Sequence, residues 1–216
     1  MSAVDIVLPE RLDDAVLDEV RQRVAGLPRR RFKRGGRRAA VLVPLCTVDG
    51  QPAVLFTKRT ETVGTHKGQV SFPGGRVDET DVDDVDTALR ECEEEIGLSR
   101  DRVRVLGTFH EAVAITGIVV TPVLGVIEGD LDVSSLRLSP HEIDEVFALS
   151  LRQLVDPTHR QAQQLGVRRA PVFSAGPHPV WGLTAWVLDE VLREALGIPL
   201  ASLTDGIVAS LLDETS

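Results

Sequence analysis

Apolar positions along the chain fall into two kinds of run, and their spacing predicts the elements. From Arg11 to Val24, Leu12, Val16, Val20 and Val24 recur every four residues with Leu17 beside them, the pattern of an amphipathic helix closed by Gly26 and Pro28. Ala39 to Cys46 and Pro52 to Lys58 are β-rich runs, and Asp49-Gly50 between them is the chemistry of a tight hairpin turn. Val70 to Phe72 reads as a short extended piece entering Pro73-Gly74-Gly75. Asp81 to Ile96 has helical spacing, with Val82, Val85, Leu89, Cys92 and Ile96 on one apolar stripe. Asp81, Asp83 and Asp84 favour the positive start of that helix, and Gly97 stops it. Val103 to Phe109 and Ile118 to Ile127 predict further strands; Pro122 and Gly125 in the second call for a bulge or an edge position. Beyond the polar segment Ser139 to Glu145 come a strand, Val146 to Leu149, a short helical piece, Leu151 to Val155, and an extended piece, Ala170 to Phe173. The last long element, Gly182 to Leu196, is an amphipathic helix with Leu183, Trp186, Val187, Val191 and Leu192 inward. Strands interspersed with two main helices predict an α/β fold with a mixed sheet covered on both faces.

Composition narrows the class. A chain of 216 residues fits one compact domain, and 43% apolar content is enough to fold it. Aromatics are 4% with no Tyr, so the core must be aliphatic. The charge balance, 24 − 33 = −9, disfavours non-specific nucleic-acid binding. No apolar run reaches the length of a membrane span, and neither Met1 to Leu8 nor the last four residues carry a targeting pattern. Cys46 and Cys92 lie inside apolar runs without metal-ligand spacing, as buried free thiols in a reducing compartment would. A soluble cytoplasmic protein, monomer or homodimer, is expected.

The chemistry concentrates in Arg90-Glu91-Cys92-Glu93-Glu94-Glu95-Ile96-Gly97-Leu98. Glu91, Glu94 and Glu95 are i, i+3 and i+4, so they are expected on one helix face, opposite the apolar stripe; Glu93 points elsewhere. Two carboxylates about 5 Å apart repel by roughly 3 kcal/mol at an effective dielectric near 20. A hard divalent cation relieves this, since Mg²⁺ takes oxygen ligands and bridges to phosphates; the other reading is a solvated acidic face. Arg90 is placed to hold Glu94 at i, i+4. Upstream, Gly74-Gly75 lets backbone approach a ligand with no Cβ in the way.

Gly75, Arg90-Glu91, Cys92, Glu94-Glu95, Gly97 and Leu98 resemble the box that defines the Nudix hydrolases. Asp81 stands where that pattern has Glu, and eight residues rather than seven separate it from Arg90. Leu55-Phe56-Thr57-Lys58-Arg59-Thr60, followed by Gly68-Gln69-Val70-Ser71-Phe72-Pro73-Gly74-Gly75, is similar to an extra motif of the coenzyme A diphosphatase branch, with Phe56 and Thr60 as mild substitutions. The spacing Gly75 to Asp81 to Arg90, Thr121 to Gly125 and Val180 to Ala185 also look like that branch. The resemblance runs from 39 to 196, leaving an N-terminal helix and basic connector at 1–38 and a tail at 197–216.

That resemblance implies a Nudix-type α/β/α sandwich with a mixed β-sheet. It implies Mg²⁺-dependent (alternatively Mn²⁺-dependent) hydrolysis of the diphosphate of coenzyme A or an acyl-CoA, with Glu91, Glu95, Glu94 and the Gly74 carbonyl as metal ligands. Glu94 and Glu142, the latter on the acidic loop His141 to Glu145, are the candidate general bases. Lys58 and Arg59, cations beside the glycine turn, are candidates to hold substrate phosphates or are surface charges closing a strand. His66 and Gln69 contact substrate or order their loop. The basic stretch Arg29 to Arg38 is a solvated connector or a clamp for the 3′-phosphate of coenzyme A. NADH, ADP-ribose or another nucleoside diphosphate derivative is the alternative substrate, and a silent nucleotide-binding module the alternative class. A serine hydrolase is unsupported, as there is no G-x-S-x-G; a P-loop is unsupported, as Gly64 to Gly68 lacks the following Lys-Ser/Thr.

Overall fold

The computed structural model describes residues 6–32, 36–61, 68–165 and 168–203. In chain order the elements are α1 (Asp14–Gly26), β1 (Arg38–Val48), β2 (Gln51–Arg59), β3 (Val70–Ser71), β4 (Gly74–Arg76), α2 (Asp84–Ile96), β5 (Val103–Thr108), β6 (Ala112–Val113), β7 (Val119–Asp130), β8 (Ile143–Ser150), α3 (Leu151–Val155), β9 (Arg160–Leu165), β10 (Arg168–Phe173) and α4 (Gly182–Glu190).

β1 and β2 form the predicted hairpin, with Asp49 and Gly50 at φ 50° and 72° supplying the left-handed pair such a turn needs. The two strands stay paired only from Leu45↔Val54 to Val48↔Gln51 and then diverge. Residues 70–76 fill the opening. β3 pairs with the end of β2 (Thr57↔Ser71), and β4 pairs with the start of β1 (Ala40↔Gly75, Val41↔Gly74). Leu42 N donates to Pro73 O at 2.8 Å and Arg59 N to Gln69 O at 3.0 Å, stitching both sides of the wedge. β8 lies antiparallel on the far edge of β2, while β7 runs parallel to β1 and then carries β5 and β6. The sheet is therefore mixed.

Alternation along β1 and β2 divides the core. Ala40, Leu42, Cys46 and Leu55 face α2 and pack with Ala88, Cys92 and Ile96. Val43, Leu45, Val54 and Phe56 face the other way, onto Leu17, Val20 and Val24 of α1 and Trp186, Val187 and Leu188 of α4. Helices thus cover both faces. Phe56 stacks between Phe72 (5.3 Å) and Phe147 (5.7 Å), so three of the six phenylalanines brace the glycine wedge from below.

Several expectations shift. The carboxylate helix begins at Asp84, because the Asp83 side chain accepts Asp86 N and caps it; Val82 precedes the helix and is 88% exposed, so it leaves the apolar stripe. β7 is central rather than an edge, and the alternative expectation of a bulge is met opposite Gly125, where the register of β5 shifts between Val105 and Gly107. Pro122 is tolerated where its partner changes from β6 to β5, with Phe109 N donating to its carbonyl. β8 starts at Ile143, three residues early, and β9 was not predicted, since its Gln-rich sequence lacks apolar alternation. The last helix is α-helical only to Glu190 and continues as a π-turn, Val191–Ala195.

That last helix is buried on nearly every side, including Asp189 and Glu190. Arg160 and Arg193 both bond Asp189, at 2.5 and 2.9 Å, while Arg193 and Arg30 hold the two oxygens of Glu190 at 2.7 and 2.6 Å. Removing one buried partner strands the others. Asp189→Asn is expected to cost about 3–5 kcal/mol in urea unfolding; a loss below about 1 kcal/mol would show that the arginines find other acceptors.

Candidate functional site

The last turns of α2 lean against the glycine wedge, and each carboxylate meets a different environment. Glu95 is 1% exposed. One of its oxygens accepts from Gly74 N at 3.0 Å and the other pairs with Arg59 Nη1 at 3.0 Å. Burial nevertheless dominates and pushes the carboxyl up to about 7, with Gly74 and Arg59 opposing and the negative fields of Glu91 and Glu142 adding to the rise. Glu91 is also raised, chiefly by burial; Arg90 works against the shift, Glu94 and Glu142 for it. Glu94 is largely exposed at the rim.

The expectation that all three carboxylates stand on a face opposite the apolar stripe is thus corrected for Glu95. Glu95 borders the apolar stripe of Ala88, Cys92 and Ile96 and is drawn into it. Among the described residues, the three-residue group with ligand atoms all within 4.8 Å of one another is His110, Glu190 and Glu194, on the opposite side of the sheet; the Glu91, Glu94 and Glu95 oxygens are spread wider.

Glycine decides how close the wedge comes. A Cβ on Gly75 would overlap the Glu91 carboxyl, and one on Gly74 (φ 152°) would overlap the Ala40 carbonyl of β1. Only a residue without Cβ lets backbone and carboxylates share this space.

Arg90 organises the acids. Its Nε and Nη2 hold Asp81 through both oxygens at 2.8 and 3.0 Å, Nη2 reaches Arg76 O at 3.2 Å, and Nη1 touches Glu91 at 3.0 Å and Glu94 at 3.2 Å. Asp81 also accepts from Thr87 Oγ1 and from Asp78 N, each at 2.8 Å. The Arg90 bonds hold its carboxyl well below the usual carboxylate range. Sequence reasoning placed Asp81 at the start of the helix and gave it no part in the site; its place in the box pattern was the signal available. It is the anchor for the arginine.

The loop that caps α2 supplies a further acid. Arg137 N and Ser139 N bond Ile96 O and Glu95 O, at 3.1 and 2.8 Å, and Glu142 O accepts from Thr60 N at 2.9 Å. Glu142 is thereby held where its charge acts on both Glu91 and Glu95.

Lys58 and Arg59, expected to act together, are separated by strand alternation. Arg59 faces α2 and Glu95, whereas Lys58 shares the phase of Phe56 and pairs with Asp144 at 2.9 Å. Gln69 stands at the wedge entrance, its carbonyl bonded to Arg59 N. His66 lies outside the described residues.

Wedge, carboxylate helix and two-faced sheet define the Nudix class of α/β protein. A Nudix-domain family model matches residues 36–170, and the chain belongs to the Nudix family. It is 44% identical over 166 residues to the mitochondrial coenzyme A diphosphatase NUDT8 of Mus musculus, covering 72% of this chain and 76% of that protein. Identity to the Homo sapiens protein of the same name is 46% over 162 residues, 72% and 68% of the two chains. A MutT/Nudix family protein from Enterococcus faecalis shares the fold at TM-score 0.51 and 17% identity, over 84% of this chain and 75% of that one. No helix among the described residues is long and apolar enough to cross a membrane.

Two outcomes follow from this geometry. Gly75→Ala displaces Glu91 from the wedge and is expected to lower kcat about 100-fold while the circular dichroism spectrum is kept; full activity would show that Glu91 need not lie against the turn. In EDTA, the protonated Glu95 favours the folded state, because its carboxyl titrates near 7 in the fold against an ordinary 4.5. Wild-type stability relative to Glu95→Gln is therefore greatest below the ordinary value and declines as pH rises through the folded one. Thermal midpoints of both proteins across that range measure it, and parallel curves would contradict it.

Proposed function

We propose that this protein hydrolyses the diphosphate bond of coenzyme A or an acyl-CoA, giving 3′,5′-ADP and (acyl-)4′-phosphopantetheine, with Mg²⁺ as cofactor and Mn²⁺ as its substitute. The observation that carries the substrate is the 44% and 46% identity to two proteins named as coenzyme A diphosphatases, over about three quarters of this chain. The geometry supports the reaction type. Oxygen donors line a backbone turn, and two of them, Glu91 and Glu95, are costly to ionise without a cation. That donor set suits a hard divalent ion.

Glu91 and Glu95, with Glu94 at the rim and the Gly74 carbonyl at the turn, would hold the metal. When bound, the metal neutralises diphosphate oxygens and makes water a better nucleophile. The remaining steps belong to the chain. Arg90, fixed by Asp81, orients Glu91 and Glu94, while Arg59 and the Gly74 amide fix Glu95. Glu142 takes the proton of the attacking water as general base, with Glu94 as its rival. Gly75 admits the diphosphate close to backbone, and Gln69 orders or contacts substrate at the wedge entrance. Phosphoryl chemistry of this kind rests on positioning and charge, without a covalent nucleophile. Two buried thiols, Cys46 pushed up to about 12 by burial, support a reducing compartment, for which the cytoplasm is proposed.

Chromatography of products from coenzyme A, NADH and ADP-ribose, each with Mg²⁺, tests the assignment. Coenzyme A is expected to turn over fastest, and faster release from NADH or ADP-ribose would replace it as substrate while keeping the hydrolase. Affinity without product from any of the three would leave a binding module. Glu142→Gln is expected to lower kcat about 10²- to 10⁴-fold; a larger loss in Glu94→Gln would move the base there.

A further inference from the structure

The connector between α1 and β1 is pinned by its backbone. Arg30 N points at His110 Nδ1 (3.5 Å), Arg30 O accepts from Glu111 N (3.0 Å), and Phe32 N donates to Glu111 Oε2 (2.6 Å). The Arg30 side chain turns inward, pairing with Glu190 and lying 5.7 Å over the Trp186 ring. Arg29 and Arg31, one residue to either side, line a cavity of about 490 Å³ with Phe32, Arg38, Thr108 and Asp84. Neither Arg29 nor Arg31 makes a side-chain hydrogen bond or ion pair among the described residues.

The acids of the same cavity are already served. Asp83 caps α2, Asp84 accepts from Thr121 Oγ1 at 3.0 Å, and Glu111 is held by Arg38 and Phe32 N. Arg38 also lies 3.7 Å from Asp84. What the cavity lacks is acceptors for two guanidiniums.

Its position ties it to the carboxylates. Asp84 and Glu91 are seven residues apart, two turns along one face of α2, which is about 10 Å. On the sheet, Arg38 is two residues before Ala40, the register partner of Gly75, against which Glu91 lies. A ribose bearing a 5′-diphosphate at Glu91 holds its 3′ position within a comparable span.

We propose that Arg29 and Arg31 form a subsite for the ribose 3′-phosphate of the substrate, the group that separates coenzyme A from its dephospho form and from ADP-ribose or NADH. The inference rests on the coenzyme A reading and names its specificity determinant. Guanidiniums suit a phosphate monoester because their forked donors match its oxygens. Arg30 takes no part, being held by Glu190, and Arg38 is committed to Glu111.

The test measures KM and kcat for coenzyme A and 3′-dephospho-coenzyme A in the wild type, in Arg29→Ala/Arg31→Ala and in Arg29→Lys/Arg31→Lys. Calorimetry of adenosine 3′,5′-bisphosphate, AMP and inorganic phosphate runs beside it. The wild type is expected to show a KM for coenzyme A about tenfold or more below that for the dephospho form. The alanine double variant closes that gap through KM rather than kcat, and the lysine variant restores part of it. Adenosine 3′,5′-bisphosphate binds the wild type about tenfold tighter than AMP, and the alanine variant erases the difference. A gap that survives the alanine variant, or a wild type indifferent to the 3′-phosphate, overturns the subsite while leaving the diphosphatase reading intact. Inorganic phosphate binding as tightly as the bisphosphate overturns its assignment to a nucleotide. If coenzyme A is not hydrolysed yet the bisphosphate preference depends on both arginines, the diphosphatase reading fails and the subsite stands.

Discussion

The rest of the structure is arranged around one carboxylate, Glu95, that the apolar packing of α2 forces out of water. Ala88, Cys92 and Ile96 must face the sheet, and Glu95 sits at the border of that stripe, so docking the helix buries it. A buried carboxylate without partners would be costly. The Gly74 amide and the Arg59 guanidinium meet its two oxygens, and both are available only because the wedge 70–76 separates β1 from β2 at this level. The hairpin divergence, the glycines and the arginine are parts of one solution.

Around Glu95 the charges are linked rather than independent. Glu94 and Glu142 raise the cost of ionising Glu91, and Arg90 offsets part of it from a position fixed by Asp81. The cluster keeps an excess of negative charge at a turn where backbone is exposed to an incoming ligand. Charge of this sign and density repels an anion until a cation neutralises it.

The far face has its own charged thread. Arg30, Glu190, Arg193, Asp189 and Arg160 link the connector, α4 and the β9–β10 hairpin through buried or half-buried pairs. Holding Arg30 there fixes the backbone that presents Arg29 and Arg31 beside the first turn of α2. The N-terminal segment is therefore joined to the edge of the site through its contacts with Glu111 and Glu190, with one arginine anchored and its neighbours lining the cavity.

Local pattern determined much of this. Hairpin, carboxylate helix, Gly97 stop, α3 and the glycine turn are short-range features, because capping residues, left-handed turns and apolar periodicity act within a few residues of themselves. The spacing of Arg90, Glu91, Glu94 and Glu95 was equally legible. Tertiary structure decided how the acid at the border of the apolar stripe is partnered, since the sheet and wedge bring Arg59 and Gly74 against Glu95. It parted Lys58 from Arg59, placed Asp81 under Arg90, put Pro122 in a central strand and buried Asp189 and Glu190 in a helix read as amphipathic. Each of these depends on a partner distant in sequence, or on the sheet face a residue meets, and a chain read residue by residue has no term for either.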